Sequence, residues 1–155
     1  MPNWCEGTLK VRGSFQNIKK FILEGMQPVS FIGEDRKFQV SEEDDTSLYI
    51  SEIKDNLWLR GTSRHFCSPD YIEIDVDCPD ETVIVTFPFK AAWAIDSDKL
   101  LLLCKEFKVD MKIQGFECGM QFSQVVEIVD EEIIHDEELK YDNWKWDCPC
   151  PEMGG

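Results

Sequence analysis

The chain has 155 residues and a formal net charge of −15, from 31 Asp and Glu against 16 Lys and Arg. The length admits one domain with a hydrophobic core of its own. The charge argues against general nucleic-acid binding, which rests on Lys and Arg neutralising phosphates, and suits solubility, a basic protein partner or mimicry of nucleic acid. No stretch reaches the length of a membrane span, and Met1-Pro2-Asn3-Trp4 lacks the basic and apolar regions of a secretion signal. The seven cysteines are therefore expected as reduced thiols in a cytoplasm, with no disulfide.

In chain order, Thr8 opens a strand in which Leu9 and Val11 alternate with Lys10 and Arg12. Gly13-Ser14 punctuates it. Ser14 is a good N-cap, and Phe15, Ile18, Ile22 and Met26 at spacings of three and four predict an amphipathic helix ending near Gly25. From Pro28 to Asp55 the pattern is weaker: Val29, Phe31 and Ile32 are apolar, and Lys37 to Val40 has the makings of a short strand. Ser41 to Ser47 (SEEDDTS) reads as a solvated acidic loop without the Asp-x-Asp-x-x-Gly frame of a calcium site. Ser47 to Ile53 reads either as a strand or as a short helical turn.

Asn56 to Phe66 predicts one strand, with Leu57 and Leu59 on one face and Trp58 and Arg60 on the other. Ser68-Pro69-Asp70 turns into an alternating strand from Tyr71 to Val76, and Cys78-Pro79-Asp80 turns again. The segment from Thr82 to Phe107 carries the strongest pattern. Thr82 to Phe89 is a row of β-branched and aromatic residues, suited to a strand covered on both faces or to a central strand with a partly covered outer face. Pro88 cannot donate to a ladder and is expected at the strand's end or at an edge. Asp96 or Ser97 caps a helix that buries Leu100 to Leu103, Cys104 and Phe107, with Lys105 and Lys108 near its C-terminus.

Asp110 to Phe116 and Gln121 to Val129 predict a strand pair around Glu117-Cys118-Gly119, with Gly119 supplying a positive φ. Asp130-Glu131-Glu132 closes it. The segment strand, helix, strand from Thr82 to Phe116 is half of a split β-α-β unit. Beyond Ile134 the chain reads as an acidic tail with Trp144, Trp146 and Cys148-Pro149-Cys150-Pro151, its first part packed along the sheet and Cys148 onward mobile.

Three stretches carry a resemblance. MPNWC with the Thr-Leu-Lys-Val strand and Gly that follow, FPFKAAWAIDSDKL, and GFECGMQF (Gly115 to Phe122) resemble the YubB-like group of phage, prophage and plasmid proteins. In that group an Asn is common where Gly7 stands, and Ser-Pro-Pro follows the Trp where this chain has Ala94-Ile95-Asp96; Pro28 to Asp55 matches only loosely. The resemblance implies a ferredoxin-like β-α-β-β-α-β core, and with the elements above the expected fold is α+β, with an antiparallel sheet, two helices on one face, extra strands and an acidic C-terminal tail. Residues 1–140 would form the domain and 141–155 the tail. It also implies a mobile-element origin and a cytoplasmic location, and it supplies no catalytic residue.

Candidate chemistry is sparse. His65 and His135 are the two histidines, and Cys67 could pair with His135 as nucleophile and base, with no third group to orient them. Cys148-x-Cys150 could join Cys67 and Cys78, or His135, around zinc, but structural zinc sites show two close pairs. Cys5 and Cys104 read as small apolar groups. Glu73 and Asp75 share a strand face without a pocket, and Gly13-Ser14 has too few glycines to cradle a phosphate. Trp4, Trp58, Trp93, Trp144 and Trp146 invite a base-stacking platform, against which the charge weighs. Trp4 and Trp93 are expected in the core, and Trp144 and Trp146 as contacts.

The expected function is a non-enzymatic protein-binding module of a phage or mobile element, an acidic inhibitor of a host nucleic-acid-binding or defence protein. Its contacts are Trp144, Trp146, Glu42, Glu43, Asp44, Asp45, Glu131, Glu132, Asp136, Glu137 and Glu138. The partner is a host or phage protein of basic character; direct nucleic acid, membrane, cofactor and metal are not expected. The alternative is a small-ligand or metal-dependent enzyme using Cys67 with His65 and His135. A third possibility is an accessory domain that oligomerises through a sheet edge.

Overall fold

The computed structural model describes residues 2–30 and 32–155. In chain order it comprises β1 (Trp4–Ser14), α1 (Phe15–Lys20) continued by a π-helical segment (Phe21–Gly25), β2 (Met26–Val29), β3 (Glu42–Glu43), β4 (Ser47–Ile50), β5 (Asn56–Leu59), β6 (His65–Cys67) and β7 (Ile72–Asp75). There follow β8 (Thr82–Ala92), α2 (Ser97–Phe107), β9 (Asp110–Glu117), β10 (Phe122–Val129), β11 (Glu132–Lys140) and α3 (Trp144–Asp147). One sheet has eight strands in the order β11-β10-β9-β1-β8-β6-β5-β2, and the other has three, β3-β4-β7. All named pairs are antiparallel.

This architecture overturns the ferredoxin-like β-α-β-β-α-β expectation. With 45% strand and 17% helix in three short helices, the chain is a mostly antiparallel β protein. Two hairpins account for much of the difference. Gly61, at φ +83, folds the segment predicted as one strand into β5 and β6, which stand between β8 and β2. Asp130 and Glu131, both at positive φ (49° and 64°), form a two-residue turn into β11, where a tail was expected.

Local chemistry explains the other elements. The Ser14 hydroxyl accepts from the Asn17 amide (3.3 Å) at the start of α1, and Met26, expected on the helix stripe, instead opens β2. Asp96 caps α2 by accepting from the Lys99 amide at 3.2 Å. Leu100, Leu103, Cys104 and Phe107 are buried, whereas Leu102 faces solvent. Pro88 lies inside β8 rather than at its end. Its carbonyl accepts from Ser68 N just past the end of β6, so its missing N–H faces the gap where that neighbour stops. Lys37 to Val40 forms no strand, Ser47–Ile50 is a strand, and Phe31 lies outside the described residues.

The core sits on one face of the large sheet. Leu9, Val11, Phe87, Phe89, Met111, Ile113, Val126 and Ile128 meet α1 and α2, together with Leu48, Ile50, Ile72 and Ile74 of the small sheet. Each such side chain contributes about 1.5–3 kcal/mol on burial. The residues from Cys148 on, expected to be mobile, are docked. Trp144 and Cys148 pack on Phe116, Trp144 Nε1 donates to Pro151 O (2.8 Å), and Gly155 N donates to Trp4 O (2.9 Å). Among the described residues no helix is long and apolar enough to cross a membrane.

At the centre of the sheet Gly7 of β1 faces Gly115 of β9. A Cβ on Gly7 would lie 1.9 Å from the Gln114 carbonyl oxygen, a backbone atom that cannot swing aside. Gly7→Ala is therefore expected to lower stability by about 3 kcal/mol, read as a shifted midpoint in urea denaturation; an unchanged midpoint would contradict this packing.

Candidate functional site

The predicted nucleophile and bases do not converge. Cys67 and His65 both point from β6 into the core, and complete burial pushes the Cys67 thiol far above its ordinary range, away from the reactive thiolate. His65 Nε2 is occupied as the acceptor of the Asp96 amide (2.8 Å). His135 lies on β11, five strand spacings from β6, or about 24 Å at ~4.8 Å per spacing. It also faces the opposite side of the sheet, opposite Glu127, and contacts Glu137 at 3.0 Å. The zinc candidates are likewise dispersed: Cys148 packs under the tail while Cys67 is in the main core, and among the described residues no three His, Cys, Asp or Glu side chains form a metal-holding group.

The predicted carboxylates fall into two ordered hairpins. Glu42 and Glu43 form β3, and Asp44 Oδ1 accepts from the amides of Thr46 (2.8 Å) and Ser47 (2.7 Å) in the β3–β4 turn. The Thr46 amide, followed by Ser47, holds the Asp44 carboxyl below its ordinary range. Lys19 Nζ donates to the Asp44 carbonyl (2.8 Å) and reaches Glu43 at 3.6 Å, fixing this hairpin to α1. Asp45 is exposed. On the second hairpin Glu131 pairs with Lys108, while Glu132, Glu137 and Glu138 are exposed. Asp136 serves the fold instead, accepting from Ser97 Oγ (2.5 Å) and Gln124 Nε2 (3.0 Å). Of the two tail aromatics, Trp144 is buried and Trp146 is 85% exposed.

Sequence reasoning misplaced the tryptophan at the tight corner between β8 and α2 and did not single out the residues that hold that corner. Trp93, expected in the core, is 59% exposed and sits at φ +71 with Ala94 N bonded to Ala92 O at 3.0 Å. That is a γ-turn of the positive-φ kind, the rarer and more strained of its two forms. The corner is latched by Trp93 N to Asn3 O (2.8 Å), by the His65–Asp96 bond and by Gln124. Gln124 accepts from Ile95 N (2.8 Å) and donates to Ile95 O (3.0 Å).

The three stretches that carry the resemblance meet here. Besides its bond to Trp93, Asn3 packs against the β9–β10 turn. The buried Glu117 carboxylate accepts there from Gly119 N (2.7 Å) and Met120 N (2.6 Å). The positive φ expected of Gly119 belongs to Gln121 (60°). Gly119 instead leaves room for its neighbours: a Cβ there would lie 2.6 Å from Asn3 Nδ2 and 2.8 Å from Glu117 Oε1, so those side chains would have to shift.

The face of the large sheet away from the core is open around Thr8, Lys10, Arg12, Ile84, Thr86 and Lys112. At one end the Trp4 ring has Arg64 at 5.4 Å, Lys90 at 5.1 Å and Phe66 edge-on at 6.1 Å. The sequence scatters these cations over several strands, and only the Lys10/Arg12 alternation was visible in it. Arg12 is paired with Asp110 (2.7 Å) and Lys112 with Glu127 (3.4 Å), which breaks the positive stripe that a phosphate chain would track.

His65 makes stability depend on pH. Burial lowers its pKa, against opposing pulls from the Asp96 carboxylate and the Arg64 backbone, and its Nδ1 has no well-formed hydrogen bond. The folded state therefore holds this ring neutral while the unfolded chain takes up a proton near the ordinary value of about 6.5. Its stabilisation is present above that pH and is lost as pH falls through the lowered folded value. Urea titrations from pH 8 to pH 5 should show a decline in stability that is shallower in His65→Gln, which keeps an acceptor for Asp96 N without titrating. Parallel declines in the two proteins would contradict this assignment.

Compared with known proteins, the chain matches no family model, no curated protein and no solved structure.

Proposed function

We propose that this chain is a non-enzymatic protein-binding module that takes a basic partner on its acidic hairpins. In the setting suggested by the three resembling stretches, it acts in the cytoplasm as a phage or mobile-element inhibitor of a host nucleic-acid-binding or defence protein. The observation that carries this reading is the placement of exposed carboxylates on ordered backbone: Glu42, Glu43 and Asp45 by the β3–β4 turn, and Glu132, Glu137 and Glu138 on β11. Charges fixed in this way lose little freedom on docking, and they steer encounter and partner choice. The exposed rings of Trp93 and Trp146 supply the large apolar contacts that concentrate binding energy.

The enzymatic alternative has no such support. The hollow lined by Pro28, Arg36 and Phe38 and the one lined by Ile72, Ile74 and Pro88 receive nothing from Cys67, His65 or His135.

The test is capture of tagged protein's partners from host lysate, followed by affinity measurements on the purified partner at low and moderate salt. Affinity is expected to fall with salt, and to fall about tenfold or more in the charge-reversed pairs Glu42→Lys/Glu43→Lys or Glu137→Lys/Glu138→Lys. Affinity indifferent to salt and to both pairs would contradict the proposal.

A further inference from the structure

We infer that β11 is a docking edge, and that its occupant is a basic, extended segment of the partner, which adds to the eight-stranded sheet as a ninth strand. This rests on the protein-binding reading above and specifies how the partner is held.

The two edges of the large sheet are treated differently by the chain itself. At the β2 edge, Val29 bridges Asp35, Arg36 N donates to Pro28 O (2.8 Å), and a proline interrupts the donors. The chain covers that edge with its own loop. At the other edge, β11 runs nine residues, EIIHDEELK, with neither proline nor glycine. Among the described residues its backbone bonds only to β10. Half of its amides and carbonyls therefore point outward with no protein partner, the arrangement an added strand requires.

Side chains decide which strand can dock. Glu132, Asp136, Glu137 and Glu138 stand against a single Lys140 along this strand. A second copy of β11 laid alongside would bring carboxylates against carboxylates, and like charges directly opposite destabilise a strand pair. The charges that bar self-association through this edge also select a strand bearing Lys or Arg. Ile134, the extra residue of the β10–β11 bulge, is 58% exposed and Leu139 is 55% exposed, leaving two apolar footholds among the carboxylates. The middle of the strand is held still, because both Asp136 oxygens are bonded, to Gln124 and to Ser97. An edge already fixed in its bound shape loses less entropy when a strand adds to it.

The experiment uses the full chain and two labelled peptides of about ten residues, the reach of β11. One alternates lysine and threonine. The other, the Lys/Pro peptide, alternates backbone N-methylated lysine with proline, with the same charge but without the donors for a ladder. Fluorescence anisotropy is expected to show the Lys/Thr peptide binding about tenfold or more tightly than the Lys/Pro peptide, with slowed hydrogen exchange in β11 on binding. Glu137→Lys/Glu138→Lys, at exposed positions away from the core, should abolish that preference. Equal affinity for the two peptides would overturn the edge inference and leave the acidic-surface reading standing, since charge alone would then suffice. Protection on the β3–β4 hairpin in place of β11 would do the same. Failure of both peptides to bind would overturn the edge inference, and the partner's response to salt would then decide the broader reading by itself.

Discussion

The side-chain amide of Gln124 does the work of a short piece of strand. By accepting from Ile95 N and donating to Ile95 O it completes both backbone groups of a residue that has left the sheet, and its second N–H reaches Asp136. Buried groups of this kind cost about 1–3 kcal/mol each when left unpaired, so removing Gln124 would orphan both backbone groups of Ile95 and release Asp136 as well. Much of the molecule depends on this clamp. It sets where the chain crosses after β8, and hence where Asp96 meets His65 and caps α2. It also holds Trp93 outside the core on its strained turn and pins the middle of β11 through Asp136.

The rest of the fold follows from a sheet whose two faces have different duties. Every second residue of β1, β8, β9 and β10 enters the core, and the opposite face is left to water except where the tail covers Phe116. The small sheet and the two main helices close the buried side. Carboxylates are thereby pushed to the hairpin ends and to the β11 edge, while several of the few cations gather on the open face, partly neutralised by Asp110 and Glu127. The net charge of −15 is thus unevenly spread, and its exposed excess on β3 and β11 lies on rigid backbone.

Legibility in the sequence follows the range of the interaction. Alternation in Leu9-Lys10-Val11-Arg12, the stripe from Phe15 to Ile22, and the Asp96 cap before Leu100 are local signals, and β1, α1 and α2 were read from them. The two hairpins that change the architecture were not read. Asp130-Glu131 takes up a double positive-φ turn without the Asn-Gly that usually announces it, and a single Gly61 splits an apolar run that otherwise alternates well. The acidic composition of β11 hid a strand, since Glu and Asp are poor strand formers and succeed here because β10 supplies the ladder.

For the site, the acidic groups were identified by composition, but their roles were not separable. Nothing local distinguishes Asp136, bonded to residues 12 and 39 positions away, from Glu137 beside it, whose carboxylate meets, among the described residues, only His135 of its own strand. Trp93, expected in the core, is turned outward instead. A γ-turn between Ala92 and Ala94 leaves no mark in the sequence. The distance between His135 and His65 is likewise a property of strand order alone.

An uncovered β11 is the claim on which the functional account turns, and residue-resolved hydrogen exchange on the free chain tests it most directly. Amides of β11 that bond to β10 should exchange slowly, and their alternate neighbours, pointing outward, should exchange as fast as loop amides. Uniform slow exchange along Glu132–Lys140 would mean that the edge is already covered, and would contradict it.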